Sequence, residues 1–173
     1  FTVRLGRGAV QTTPVEVLKA SLAVAAGDAV LVADGNPVLA TILAAQCRQF
    51  GFTTEIAGDR AALLAAFSVP GRWRLAIADA RLGSGDEAAF AQELRAQAGG
   101  VAPPLLLTVP HGTFARGAER VPGDVCLLAR PCLPESLGRA IAVSLGRHAG
   151  EARPERAPAP WDFAAVTHLQ GSD

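Results

Sequence analysis

The sequence predicts an α/β fold, a doubly wound parallel sheet with helices on both faces. Three observations predict it. Short runs such as Ala29-Val-Leu-Val-Ala33 and Leu75-Ala-Ile-Ala78 are apolar at every position, not at alternate ones. A strand apolar on both sides belongs to a sheet covered on both sides. These runs alternate with helical patterns, and five such units fit within residues 28–147, the size of one doubly wound domain.

The elements follow in order. Ala29–Ala33 is a buried strand that stops at Asp34-Gly-Asn-Pro37. Asn36 suits a helix cap and Pro37 the first helical turn, where its missing N–H costs nothing, so a helix runs from Pro37 to Phe50. Thr53–Ala57 is the second strand, and Arg60–Ser68 a helix stopped by Val69-Pro-Gly71. Arg74–Asp79 is the third strand. Asp86–Ala98 is a helix ended by Gly99-Gly100, and Pro104 leads into the fourth strand, Leu105–Thr108. A short helix is expected over Thr113–Glu119. Asp124–Ala129 is the fifth strand and Pro134–Leu145 the last helix.

Composition excludes several classes of function. The 173 residues are half apolar, only 5% aromatic, and contain neither Tyr nor Met. Fifteen arginines and one lysine, Lys19, face sixteen carboxylates, so no net field recruits nucleic acid or an anionic membrane surface. No apolar run reaches the roughly 20 residues of a membrane span. Cys47, Cys126 and Cys132 have no metal-ligand spacing, and their odd, scattered number points to reduced thiols in the cytoplasm. The chain starts at Phe1, without a signal-peptide pattern, and reads as a segment of something longer. Residues 148–160, rich in Pro, Ala and Arg, form a linker that cannot pack a core.

In a doubly wound sheet ligands gather beyond the carboxyl ends of the strands. The residues there are Asp34, Asp79, Thr108 and Arg130-Pro131. Each alone is an ordinary turn or cap former. Gly83-Ser-Gly85 is no phosphate loop, since it lacks the Lys-Ser/Thr that completes one.

In this order, Leu31-Val-Ala-Asp-Gly-Asn-Pro-Val38, Leu75-Ala-Ile-Ala-Asp-Ala-Arg-Leu82, Leu106-Leu-Thr108 and Leu127-Leu-Ala-Arg-Pro131 resemble the receiver domain of response regulators and hybrid sensor histidine kinases. The resemblance covers residues 28–147. It implies a flavodoxin-like (βα)5 sheet with strand order 2-1-3-4-5. It also implies Asp79 as phosphoacceptor, Thr108 as the hydroxyl that bonds the phosphoryl group, and Mg²⁺ held by Asp34, Asp79 and the backbone carbonyl of Arg81.

Four departures surround that site. Gly35 stands where the family has the second acid of its metal-binding pair, so Mg²⁺ is expected to bind weakly. Arg130 stands at the position of the family's lysine, and the only lysine of the chain lies elsewhere. A guanidinium does not reproduce an ammonium, but an Arg130–Asp79 ion pair would imitate the neutralised state permanently. Leu127 replaces the aromatic switch residue, and Gly83 replaces a proline. Together they favour a degenerate receiver that acts by docking. A working phosphoacceptor and a nucleotide-binding pseudo-receiver are the alternatives, the latter permitted by Arg72, Arg74 and Arg81.

The same resemblance organises the flanks. Phe1–Leu5 looks like the last strand of a histidine kinase ATP-binding domain, and 6–27 like a linker. Residues 161–173 look like the start of a histidine phosphotransfer domain or a docking helix, with Trp161 and Phe163 as anchors. His168 lacks the surroundings of a phosphorylated histidine, and His111 and His148 stand apart from any acid. The segment itself is not expected to be an enzyme; its parent is expected to be a membrane-anchored or cytoplasmic kinase. The first helix, through Val38, Leu39, Ile42 and Leu43, is the expected contact for the kinase dimerisation or phosphotransfer helices.

Overall fold

Five parallel strands, β1 (Ala29–Ala33), β2 (Thr53–Ala57), β3 (Leu75–Asp79), β4 (Leu105–Pro110) and β5 (Val125–Arg130), lie in the order β2-β1-β3-β4-β5. The computed structural model describes residues 15–22, 24–83, 85–99, 102–112 and 125–146. Among them are five α-helices, α1 (Val15–Leu22), α2 (Pro37–Gln49), α3 (Arg60–Phe67), α4 (Glu87–Gln97) and α5 (Pro134–Ser144), and a 3₁₀ turn at Ala80–Leu82. The expected doubly wound five-stranded parallel sheet and its strand order are present. The order reverses at β1 and β3, which places the carboxyl ends of β1, β3, β4 and β5 around one crevice.

The two faces of the sheet carry separate cores, because side chains alternate along each strand. Leu75 and Ile77 of β3 join Val30, Val32, Leu106 and Leu128 under α2 and α5. Ala76 and Ala78 turn the other way and meet Phe67 of α3, Phe90 of α4 and Trp73. Small strand residues on this face leave the depth that bulky helix residues fill. All five residues of β3 are buried.

Helix starts follow the sequence closely. Asn36 Oδ1 accepts from the N–H groups of Val38 (3.0 Å) and Leu39 (3.3 Å), while Asp59 and Asp86 cap α3 and α4 in the same way. Gly99 ends α4 at φ +66°, a conformation that costs any other L-residue.

The structure differs from expectation in several places. β4 runs on to Pro110 and β5 to Arg130. Within the stretch 6–27 lies α1, whose Leu18 and Leu22 are buried against Phe50, Leu137 and Ile141. Eight residues are too few to make a stable helix alone, so this helix owes its existence to that contact. A Cβ at Gly138 of α5 would come within 3.1 Å of both Leu18 Cδ1 and Phe50 Cζ, so glycine lets the three elements close up. On α2, Leu43 is buried in the core and is withdrawn from the expected docking set, whereas Val38 and Ile42 are 65% and 48% exposed and Leu39 is half-buried. The expected elements at 1–5, Thr113–Glu119 and 161–173 lie outside the described residues, as do His148, Trp161, Phe163 and His168.

Two stability measurements check this packing. Leu18→Ala is expected to cost about 2–5 kcal/mol in denaturant unfolding, the usual range for a buried leucine; a loss near zero would mean that α1 does not dock. At Gly83 a Cβ would lie 2.6 Å from the Phe90 ring, whereas at Gly58 it would meet nothing within 4 Å. Gly83→Ala should therefore destabilise by about 1–3 kcal/mol, and Gly58→Ala by no more than about 0.5 kcal/mol.

Candidate functional site

The sequence-predicted residues converge. Asp34 follows β1, Asp79 closes β3, Thr108 is paired with Asp79 in the β3–β4 register, and Arg130 closes β5. Asp34, Asp79 and Thr108 are the buried polar residues of the chain, at 1%, 2% and 0% exposure among the described residues.

Asp34 has one structural task. Its Oδ1 accepts from the Asn36 N–H at 2.8 Å and shapes the turn into α2. Its Oδ2, like Thr108 Oγ1, is buried without a hydrogen-bond partner among the described residues. Such atoms are costly in a protein interior unless something polar meets them. Gly35 beside it is exposed, and a Cβ there would meet only Leu82 Cδ2, at 3.7 Å, so a larger residue fits.

Asp79 is held differently. Its Oδ1 accepts from the backbone N–H of Arg81 at 3.0 Å. Its Oδ2 receives Arg130 Nη1 at 2.8 Å and Arg81 Nε at 2.9 Å, with Arg81 Nη2 also 2.7 Å away. The Arg130–Asp79 pair is the one the sequence suggested. Arg81 engages Asp79 through its side chain, whereas the sequence assigns its carbonyl to the metal and counts its side chain only among the arginines that permit nucleotide binding. Burial raises the Asp79 carboxyl, but the hydrogen bonds of Arg81 and the bond and charge of Arg130 outweigh it, and Asp79 lies below its ordinary value. Arg81 is correspondingly raised, through its hydrogen bond to Asp79, the charge of Asp79 and, less strongly, that of Asp34.

The turn that carries Arg81 is fastened from behind. Arg60 Nη1 donates to the Leu82 carbonyl at 3.1 Å, Arg60 pairs with Glu93 of α4, and the Arg60 guanidinium lies 5.9 Å from the Phe90 ring centre. Gly83 N–H closes the turn on Ala80 O at 3.0 Å. Phe90 fills the space a side chain at Gly83 would need, which is the local reason why glycine stands where a proline was expected.

Two expected neighbours are elsewhere. Arg72 and Arg74 precede β3 and therefore lie at the opposite end of the sheet. Arg72 pairs with Glu55 and stacks over Trp73 at 4.5 Å, and Arg74 lies 3.9 Å from Asp28. His111 is exposed just beyond β4. Cys47 and Cys132 are shielded thiols, pushed up by burial to about 12 and about 11, and all three cysteines are unbridged. No group of three or more His, Cys, Asp or Glu side chains converges on one point among the described residues. No described helix is long and apolar enough to cross a membrane.

No protein-family profile matches the chain, and no curated protein sequence matches it. Its fold is shared by solved structures. The receiver domain of a Pseudomonas aeruginosa sensor histidine kinase, solved with magnesium in its active-site cleft, superposes with a TM-score of 0.57 at 22% identity, over 69% of this chain and 98% of that one. The chemotaxis protein CheY4 of Vibrio cholerae gives 0.51 at 20% identity, over 68% and 98%. A Burkholderia pseudomallei response regulator with a phosphorylated aspartic acid and a calcium ion gives 0.52 at 20%, over 69% of each chain. The chain therefore has the receiver fold.

The lowered Asp79 carboxyl sets a pH dependence. A carboxylate depressed by folding contributes stability that is complete above the ordinary range, about pH 4, and is lost as pH falls through the lower folded value. Urea midpoints measured along an acid series should fall more steeply for the native chain than for Asp79→Asn. Parallel profiles would show that the clamp adds nothing to stability.

Proposed function

We propose that the chain is a receiver-like module of a hybrid histidine kinase, working in two-component phosphorelay signalling in the cytoplasm, with impaired Mg²⁺-dependent phosphorylation of Asp79. The observation that carries the reading is the occupation of the Asp79 carboxylate by two guanidinium groups at 2.7–2.9 Å. A carboxylate nucleophile needs a free lone pair aimed at phosphorus. Here Oδ2 is surrounded by three nitrogens and Oδ1 binds the Arg81 amide.

The residues present do not fit a bound Mg²⁺ in this arrangement. Mg²⁺ wants near-octahedral oxygen ligands and usually takes one or two carboxylates plus water. Asp34 offers one unengaged oxygen, Gly35 offers none, and both Asp79 oxygens are engaged. Two positive guanidinium groups at Asp79 oppose a dication, and they already balance the two carboxylates, Asp34 and Asp79.

Docking is then the remaining route of action. Val38 and Ile42 form an exposed apolar strip on α2 beside the site, with Leu39 half-buried between them. We assign to this strip the helices of the kinase dimerisation or histidine phosphotransfer partner. Residues 1–5 as a kinase strand, 6–27 as a connector that docks α1 on the core, 28–147 as the receiver-like unit, 148–160 as a linker and 161–173 as the start of a phosphotransfer domain or docking helix complete the proposal.

One observation favours the second reading, a working phosphoacceptor. Thr108 Oγ1 and Asp34 Oδ2 are buried without partners among the described residues, as they would be if a phosphoryl oxygen and a cation met them during turnover. The nucleotide-binding reading keeps only Arg81 of its three arginines at the site, already taken up by Asp79, since Arg72 and Arg74 lie at the far end of the sheet.

Labelling decides between the first two. The chain and its Asp79→Asn variant are incubated with Mg²⁺ and a small acyl phosphate donor or a phosphorylated histidine domain. Labelling far below stoichiometric is expected; near-stoichiometric labelling that disappears in Asp79→Asn would overturn the impaired reading.

A further inference from the structure

We propose that Arg81 is a built-in cation that holds the place of a divalent ion beside Asp79, and that it is the removable half of the clamp. The inference deepens the reading above and rests on it for the place of Asp79. The two arginines reach the same oxygen, but from very different settings. Arg130 comes from the end of a paired strand and its side chain is 16% exposed, so it is a fixed counter-charge. The Arg81 side chain is 60% exposed and projects from a short turn. Water can take its place at almost no cost in packing.

The geometry separates what is fixed in Arg81 from what is free. Its backbone is held by the N–H bond to Asp79 Oδ1, by Arg60 on the Leu82 carbonyl and by the Gly83–Ala80 turn bond. Its guanidinium is held by Asp79 Oδ2. A rotation of the side chain alone therefore removes two nitrogens from Oδ2 and leaves the turn intact. It also leaves Arg130 as the sole positive side chain described at Asp79, against Asp34 and Asp79. The site then carries a net negative charge, a freed carboxylate oxygen, and the unengaged Asp34 Oδ2. In the closed arrangement the two guanidinium groups balance the two carboxylates without metal, and in the open one a net charge of −1 remains, which favours a cation beside Asp79.

Mg²⁺ titration calorimetry and thermal unfolding with and without Mg²⁺ test the proposal on the full chain. Arg81→Ala and Arg81→Gln are expected to bind Mg²⁺ on the order of 10–100-fold more tightly than the native chain, the usual scale for an outer group that controls a metal site. Their unfolding temperature should rise with Mg²⁺ while that of the native chain does not. Arg72→Ala, which removes another exposed, ion-paired arginine at the far end of the sheet, should behave as the native chain does. Equal Mg²⁺ affinity in the native chain and both Arg81 variants overturns the proposal. So does a gain that appears only when Gly35→Asp is added, since the missing ligand would then be the barrier. If the native chain is instead labelled fully on Asp79, the impaired reading fails as well; if it is not labelled and the Arg81 variants gain nothing, only the role of Arg81 fails.

Discussion

Asp79 ends a strand whose five residues are all buried, and a carboxylate placed there has to be neutralised by the protein itself. Leaving such a charge unpaired costs several kcal/mol, far more than an exposed ion pair returns. The surrounding structure supplies the neutralisation from two directions. β5 brings Arg130 along the sheet, and the turn after β3 folds Arg81 back over the same oxygen. That turn is in turn held by Arg60 from α3 and pressed by Phe90 from α4, so elements of the opposite face serve the site without touching Asp79.

An aromatic-poor sequence fills its core by pairing small strand residues with its few large ones. Ala76 and Ala78 on β3 accept Phe67, Phe90 and Trp73, whereas Leu75 and Ile77 on the reverse face meet the smaller and branched side chains of α2 and α5. Glycine does related work between helices. At Gly138 the missing side chain lets Leu18 and Phe50 approach, and this draws α1 onto the α5 face. The exposed strip of Val38 and Ile42 on α2 stays uncovered by α1, so the helix adds stability and leaves the proposed docking surface open.

Much of this was legible in the residues themselves. The central strands declared themselves by unbroken apolar runs and the start of α2 by Asn36-Pro37, because a cap bonds to amides two or three residues away and needs no tertiary partner; Asp59 and Asp86 cap α3 and α4 by the same local rule. The site residues were legible for a similar reason, since strand ends in a doubly wound sheet share one crevice whatever the loops do. Helix α1 was not, because its apolar pattern is too short to stand out and its stability comes from α5. Leu43 was misassigned because two adjacent apolar stripes on α2 look alike until one of them is pressed against the sheet.

While the resemblance to receiver domains implied the strand order and the Arg130–Asp79 pair, apolar runs, caps and the order of four polar strand ends were enough to set the fold class and the convergence of Asp34, Asp79, Thr108 and Arg130. They act through backbone hydrogen bonding and side-chain alternation, which are local. The direction of the Arg81 side chain, the removal of Arg72 and Arg74 to the far end of the sheet, the stacking of Phe90 on Gly83 and the docking of α1 needed the folded chain. Each depends on which atoms lie within a few ångströms across elements distant in sequence, and neither spacing nor periodicity encodes that distance.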